Sequence, residues 1–131
     1  MILDTSVLVA SEKHKLELRS VIGHDDPAVA AITATELLLG VERTDDHRRD
    51  ERAVRIEGIF AVLPIEAYTL EVARSHAMLL AHVSRVGRPR GSFDLIIAAT
   101  ACATGRTLIT ADQAAAFHQL PGVRAEVVRV R

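Results

Sequence analysis

The sequence predicts an α/β fold: a mostly parallel central sheet of four to five strands with helices on both faces. Two observations carry this. Short apolar runs of strand length alternate with longer segments of helical period along the whole chain. No internal repeat or linker interrupts the alternation, and 131 residues suffice for one core without disulfide or structural metal, so residues 1–131 are expected to form a single domain. With no Trp and few aromatics, that core has to be built from Ala, Leu, Val and Ile.

In chain order, MIL (1–3) reads as a short buried strand, and Asp4-Thr5-Ser6 favours a helix start. A helix is expected from about Val7 to Val21, with a break near Ser11. Gly23 to Pro27 is a loop, and Ala28 to Ile32 a central strand. Thr33 opens a helix through Leu37-Leu38-Leu39 and Val41, a run apolar on more than one face that suits either a wedged core helix or a groove for a partner helix. The charge-rich stretch Asp46 to Glu57 reads as an exposed helix. Ala61-Val62-Leu63-Pro64 is expected as a third strand closed by proline, followed by a long helix over 66–86. Gly87 to Gly91 is a loop with two cations. Ser92 is expected to cap a helix carrying Leu95 to Ala103 and ending at Gly105. Thr107 to Thr110 is a fourth strand, Asp112 begins a brief helix, and Ala125 to Val130 is the last strand.

The net charge of −1 gives no global attraction to nucleic acid or membrane, so an anionic substrate has to be held by local charge or by metal. All but two of the basic residues, Lys13 and Lys15, are Arg. Cys102 stands alone in an apolar run and reads as a small buried hydrophobe. No signal peptide is visible, and no run approaches the roughly 18 apolar residues of a membrane span, so a cytoplasmic protein is expected.

Four acids interrupt apolar runs: Asp4, Glu36, Asp94 and Asp112. Each has a capping explanation. Thr33-x-x-Glu36 matches a capping box, Asp94 suits the positive end of its helix, and Asp4 and Asp112 suit N-caps. Taken together they have another. Asp4 and Asp112 follow the carboxyl ends of strands, and Glu36 and Asp94 fall in first turns of helices near the same edge, where open parallel sheets bind ligands. Four carboxylates there repel one another unless cations neutralise them, and hard oxygen ligands suit Mg²⁺ or Mn²⁺. Such ions promote attack of water on phosphoryl groups. Other phosphate chemistries fit less well: there is no Gly-rich loop ending in Lys-Ser/Thr and no G-x-S-x-G elbow. Ser6 also stands where an aspartyl-phosphate enzyme would want a second Asp.

These segments, MILDTSVLVA at 1–10, TATELLLGV at 33–41, FDLIIAATA at 93–101 and LITAD at 108–112, resemble PIN-domain proteins, and more narrowly the VapC-type ribonuclease toxins of bacterial toxin–antitoxin pairs. The resemblance spans nearly the whole chain, in order and with matching spacing. It implies a PIN fold and a Mg²⁺- or Mn²⁺-dependent endoribonuclease. It also implies partnership with a small VapB-type antitoxin whose C-terminal segment covers the active site, a homodimer within a larger toxin–antitoxin assembly, and an RNA substrate. It matches Asp4 and Asp94 to the family's direct metal ligands, Glu36 and Asp112 to ligands acting through water, and Thr5, Ser6 and Thr110 to polar positions beside them. One departure stands out. Gln113 leads into Ala114-Ala115-Ala116 where many relatives carry a further acid, which implies a weaker metal site on that side. Arg88 and Arg90 are placed to touch RNA phosphates. The scarcity of aromatics argues against a base-stacking platform. Two other readings stand beside the toxin: a degenerate PIN fold serving only as a binding module, and a housekeeping RNA-processing PIN nuclease.

Overall fold

The computed structural model describes all residues, 1–131. Five strands alternate with six helices: β1 (Ile2–Leu3), α1 (Thr5–Glu12), α2 (Leu18–Ile22), β2 (Val29–Ala30), α3 (Ala31–Glu42), α4 (Asp46–Val62), β3 (Ile65–Glu66), α5 (Leu70–Val86), α6 (Ser92–Ala103), β4 (Leu108–Thr110) and β5 (Ala125–Val127). All strand pairs are parallel. β4 lies between β1 and β5, β2 pairs with β3, and a bridge from Ile2 to Ala28 joins the two sets. The order β3-β2-β1-β4-β5 follows. The chain winds outward from β1 to β3, then returns to the other side of β1. The switch in direction therefore falls between β1 and β4, whose carboxyl ends carry Asp4 and Thr110.

The period-two alternation of strands sorts the core into two layers. Ile2, Ala28, Ala30 and Leu108 point to one face and pack with Val72, Leu79 of α5 and Leu95, Ala98, Ala99 of α6. Leu3, Val29 and Ile109 point to the other, against Val7, Leu8 of α1, Leu37, Val41 of α3 and Ile56 of α4. Small alanines on α6 let that helix lie close to the sheet with almost every residue from Leu95 to Ala101 buried. No helix is long and apolar enough to cross a membrane.

Several element boundaries differ from the sequence reading, each for a local reason. The first helical stretch is two helices, separated where His14 adopts a left-handed φ of 57°. Ala61 and Val62 complete α4 instead of opening a strand, and the Leu63 N–H still donates to the Ile59 carbonyl at 2.9 Å. Pro64, which has no N–H, breaks the helix, and β3 begins only after it. α5 starts at Leu70, with the Thr69 hydroxyl accepting from the Val72 N–H at 3.2 Å. α6 is capped by Gly91, with Ser92 already in its first turn. Asp112 leads into two 3₁₀ turns, Gln113–Ala115 and Phe117–Gln119, and β5 stops at Val127. Within the triple leucine, Leu37 is buried while Leu38 and Leu39 reach the surface. Cys102 is half-buried, beside Gly122.

Candidate metal centre

Asp4 stands directly after β1 with extended backbone, in the N-cap position of α1, yet its carboxylate caps nothing. Two hydroxyls claim one of its oxygens instead. Ser6 donates to Oδ2 at 2.7 Å and Thr110, at the end of β4, donates to the same atom at 2.8 Å. Ser6 in turn accepts from the Ala111 N–H at 3.0 Å, and Thr110 accepts from the Asp112 N–H at 3.0 Å. Asp4 is almost wholly buried, so these bonds supply the compensation a buried carboxylate needs. They also fix which way its second oxygen faces.

Glu36 lies one turn into α3. The capping box expected for Thr33 and Glu36 does not form, because the helix begins at Ala31 with Ala30 as its cap and Thr33 is already buried inside it. Its partner is Thr5, whose hydroxyl donates to Oε1 at 2.7 Å and lies 3.1 Å from the Thr33 hydroxyl. The Thr5 hydroxyl has two acceptors within reach, Glu36 at the shorter distance and the Thr33 hydroxyl beside it. Thr33 thus belongs to the site in a role the capping pattern concealed.

Asp94 sits in the first turn of α6 and likewise caps no backbone N–H. Its Oδ2 lies close to Gly91, where an added Cβ would sit 3.1 Å away. Of the four acids only Asp112 behaves as a cap, its Oδ1 accepting from the Ala114 N–H at 3.0 Å. Side-chain capping thus holds for Asp112 and fails for Asp4 and Glu36, while Asp94 does lie in the first turn, at the positive end of α6.

Electrostatics bind the four into one neighbourhood. The Asp94 carboxyl is pushed up to about 6, first by burial and then by the charges of Asp4, Glu36 and Asp112, with Arg90 pulling the other way. Burial raises Glu36 as well; the Thr5 hydrogen bond opposes this and the Asp4 charge adds to it. Mutual repulsion on this scale is what a multivalent cation relieves. Asp4, Glu36 and Asp112 each use one oxygen for the hydrogen bonds above, leaving the other for a further ligand. The donors are all carboxylate oxygens, a set that fits a hard divalent ion. No three acidic, His or Cys side chains form a ready-made cage, so water has to complete any coordination shell.

The two loop arginines separate. Arg88 is exposed and makes no ion pair. Arg90 turns inward, with Nη1 donating to the Ala115 carbonyl and, at 3.0 Å, to the Ala116 carbonyl, while Nη2 donates to Gln119 Oε1 at 3.2 Å. An open cleft of about 370 Å³ beside Asp94 and Asp112 is lined by both arginines. Nothing in the sequence signals these backbone acceptors, since carbonyls are present at every residue.

The PIN domain family model matches residues 1–122. Ribonuclease VapC5 of Mycobacterium tuberculosis is 33% identical over 132 aligned positions, covering 98% of this chain and 94% of its own. The tRNA(fMet)-specific endonuclease VapC of Shigella flexneri is 27% identical, covering 95% and 94%. Among solved structures, the DNA-bound VapBC of Salmonella typhimurium superposes with a TM-score of 0.87 at 26% identity, over 96% of each chain.

Proposed function

The chain belongs to the PIN-domain family, and from that premise we propose that it is an endoribonuclease dependent on Mg²⁺ or Mn²⁺, the toxin of a toxin–antitoxin pair. The observation that carries the reading is that Asp94 feels the charges of Asp4, Glu36 and Asp112 together, at the switch point of a parallel sheet. One domain in this reading spans residues 1–131, and the pairing of β5 (Ala125–Val127) with β4 beyond the matched segment supports it.

In this reading Asp4 and Asp94 hold the ion directly, and Glu36 and Asp112 hold water around it. A bound divalent ion supplies positive charge to the phosphoryl oxygens and makes water a better nucleophile. The side chains do the rest. Ser6 and Thr110 hold one Asp4 oxygen and leave the other free for the ion, and the Thr5 hydrogen bond favours the charged form of Glu36. Arg88 lies on the cleft wall, where it can meet the phosphates of a strand entering beside Asp94.

The relatives named as VapC ribonucleases and the neighbours solved as VapBC complexes support an antitoxin as partner within a larger assembly, in which the chain would pair with a second copy of itself. The exposed Leu38 and Leu39 on α3, and Leu70, Met78 and Leu80 on α5, supply apolar surface for such contacts.

The test incubates the purified chain with structured RNAs, including an initiator tRNA transcript, in Mg²⁺ or Mn²⁺. EDTA and Asp94→Asn serve as controls. Cleavage is expected with metal and is lost in both controls. Cleavage that survives chelation would sink the metal mechanism. Metal binding with no cleavage of any RNA would favour a module whose role is complex formation alone.

A further inference from the structure

The segment that carries Asp112 away from β4 is pinned at its start, where the Asp112 N–H meets Thr110 and Asp112 Oδ1 takes the Ala114 N–H, but Gln113 to Ala116 add only the packing of Ala115. Gln113 is followed by three alanines, whose side chains make no polar contact, and the next buried anchor is Phe117. No strand pairing covers this stretch, and Ala116 holds a left-handed φ of 48° that Ala adopts only when its surroundings require it. Where the two 3₁₀ turns meet, the Ala116 carbonyl accepts the Gln119 N–H at 3.0 Å, whereas the Ala115 carbonyl has no backbone donor.

Arg90 supplies the Ala115 carbonyl with its donor and the Ala116 carbonyl with a second. Its planar fork reaches across from the loop before α6 and takes the Ala115 and Ala116 carbonyls and the Gln119 side chain together. Arg90 is four residues before Asp94, while the Ala115 carbonyl is three residues after Asp112. We propose that Arg90 is a positioning residue. It latches the Asp112-bearing turn to the start of α6 and so sets the spacing between Asp94 and Asp112 across the cleft. The proposal rests on the metal-centre reading above for its functional consequence, but not for the latch itself.

The competing role for Arg90 is a direct contact to RNA phosphate. Swinging the guanidinium toward solvent would leave the Ala115 carbonyl and the Gln119 amide oxygen without their donor and take one of two donors from the Ala116 carbonyl, a cost that the exposed Arg88 does not carry. The same cleft therefore has one arginine bound into its wall and one free to meet substrate.

The test compares Arg90→Ala, Arg90→Lys and Gln119→Ala in the full chain. Amide hydrogen exchange across 113–119 is read in metal-free protein, alongside Mn²⁺ titration calorimetry and RNA cleavage at several salt concentrations. Exchange in 113–119 is expected to accelerate about tenfold or more in Arg90→Ala, with the α6 amides unchanged. Mn²⁺ affinity and kcat are each expected to fall about 10- to 100-fold with KM nearly constant, the usual consequence of removing a group that orients a metal ligand. Gln119→Ala, which keeps the two carbonyl bonds and is the milder change, is expected to move each readout the same way by less. Lys keeps the charge but not the fork, so it is expected not to rescue.

Unchanged exchange in Arg90→Ala would overturn the latch. So would a loss confined to KM with a salt slope shallower by about one, or full rescue by Lys, since either marks a phosphate contact. A wild-type chain that binds no Mn²⁺ and cleaves no RNA would overturn the metal-centre reading, while the exchange comparison would still decide the latch.

Discussion

Thr110 donates to Asp4 Oδ2 at 2.8 Å across 106 residues of sequence, and the same hydroxyl oxygen accepts the Asp112 N–H at 3.0 Å. One side chain at the end of β4 thus ties the best-buried acid of the site to the backbone of the most exposed one. It stands where the sheet changes direction, so the linkage exists only once β1 and β4 have paired in the register Ile2 to Leu108.

Thr110→Val keeps the branched shape but removes both bonds. It leaves the Asp112 N–H without its acceptor and Asp4 with Ser6 as its sole hydroxyl partner. Stability is expected to fall by about 1–3 kcal/mol in urea unfolding. Affinity for Mn²⁺ is expected to fall about tenfold or more by calorimetry, because a group orienting a ligand is lost. Thr110→Ser is expected to recover most of the affinity. Equal affinities in the Val variant and the parent would show that Asp4 is oriented without Thr110.

The raised Asp94 carboxyl makes a signed prediction about pH. Its folded value of about 6 lies above the ordinary 3.8, so the folded chain binds this proton more tightly than the unfolded chain does. Stability from this group is therefore greatest at low pH and is lost as pH rises from about 4 through 6. Glu36, raised in the same direction, adds to the trend. Without metal, Asp94→Asn is expected to be more stable than the parent above pH 6 by about 1 kcal/mol after allowance for solvent screening, the gap closing toward pH 4. Urea unfolding in EDTA at both pH values checks this, and an equal gap at both would refute it. Metal affinity runs the other way, since a bound carboxylate must lose its proton, and it is expected to climb with pH until Asp94 is ionised.

The acids were legible in the sequence because each breaks an apolar run at a strand end or a helix start, and a parallel sheet brings such ends to one edge. The order of the elements and the two-layer core were legible for the same reason, since alternation of strand and helix leaves few topologies. Boundaries failed where a short apolar run permits two structures. Ala61-Val62 suits a strand or the end of α4, and only the packing of Ile56 and the break at Pro64 decide for the helix. The Thr33 and Glu36 capping pattern misled for a related reason. The helix starts two residues earlier than its sequence signal, so both side chains lie on the helix and turn to Thr5, a partner 28 and 31 residues away. Arg90 was legible as a cation near Asp94 but not as one bound to carbonyls, because its partners are backbone atoms brought near by the fold.

Gly91 offers a way to perturb the site at a modest cost to the fold. Its φ of −57° is open to any residue, so a side chain brings no backbone strain. A Cβ there would stand 3.1 Å from Asp94 Oδ2 and push the carboxylate by a few tenths of an ångström. Because Gly91 is the N-cap of α6 and Ala caps poorly, Gly91→Ala is expected to lower stability by about 0.5–1 kcal/mol. Cleavage is expected to fall about tenfold or more, since small displacements of reacting groups cost heavily. Thermal unfolding and single-turnover cleavage measure the two effects separately, and a loss of stability with cleavage unchanged would contradict the placement of Asp94 against Gly91.

Asp112 carries two functions that one pair of variants can divide. Its Oδ1 caps the 3₁₀ turn through the Ala114 N–H, and its charge raises Asp94. Asp112→Asn retains an oxygen for the cap and removes the charge, while Asp112→Ala removes both. The Asn variant is expected to keep the parent's stability, whereas Ala is expected to lose about 1 kcal/mol with its cap. In both, relief of repulsion lowers the Asp94 carboxyl, so an NMR titration of Asp94 in metal-free protein is expected to move down by a similar amount. Metal affinity is expected to fall in both despite that lower pKa, because a carboxylate that holds water around the ion is gone. If Asn bound Mn²⁺ as tightly as the parent and cleaved RNA as fast, Asp112 would be a cap and nothing more, and the site would rest on Asp4, Glu36 and Asp94.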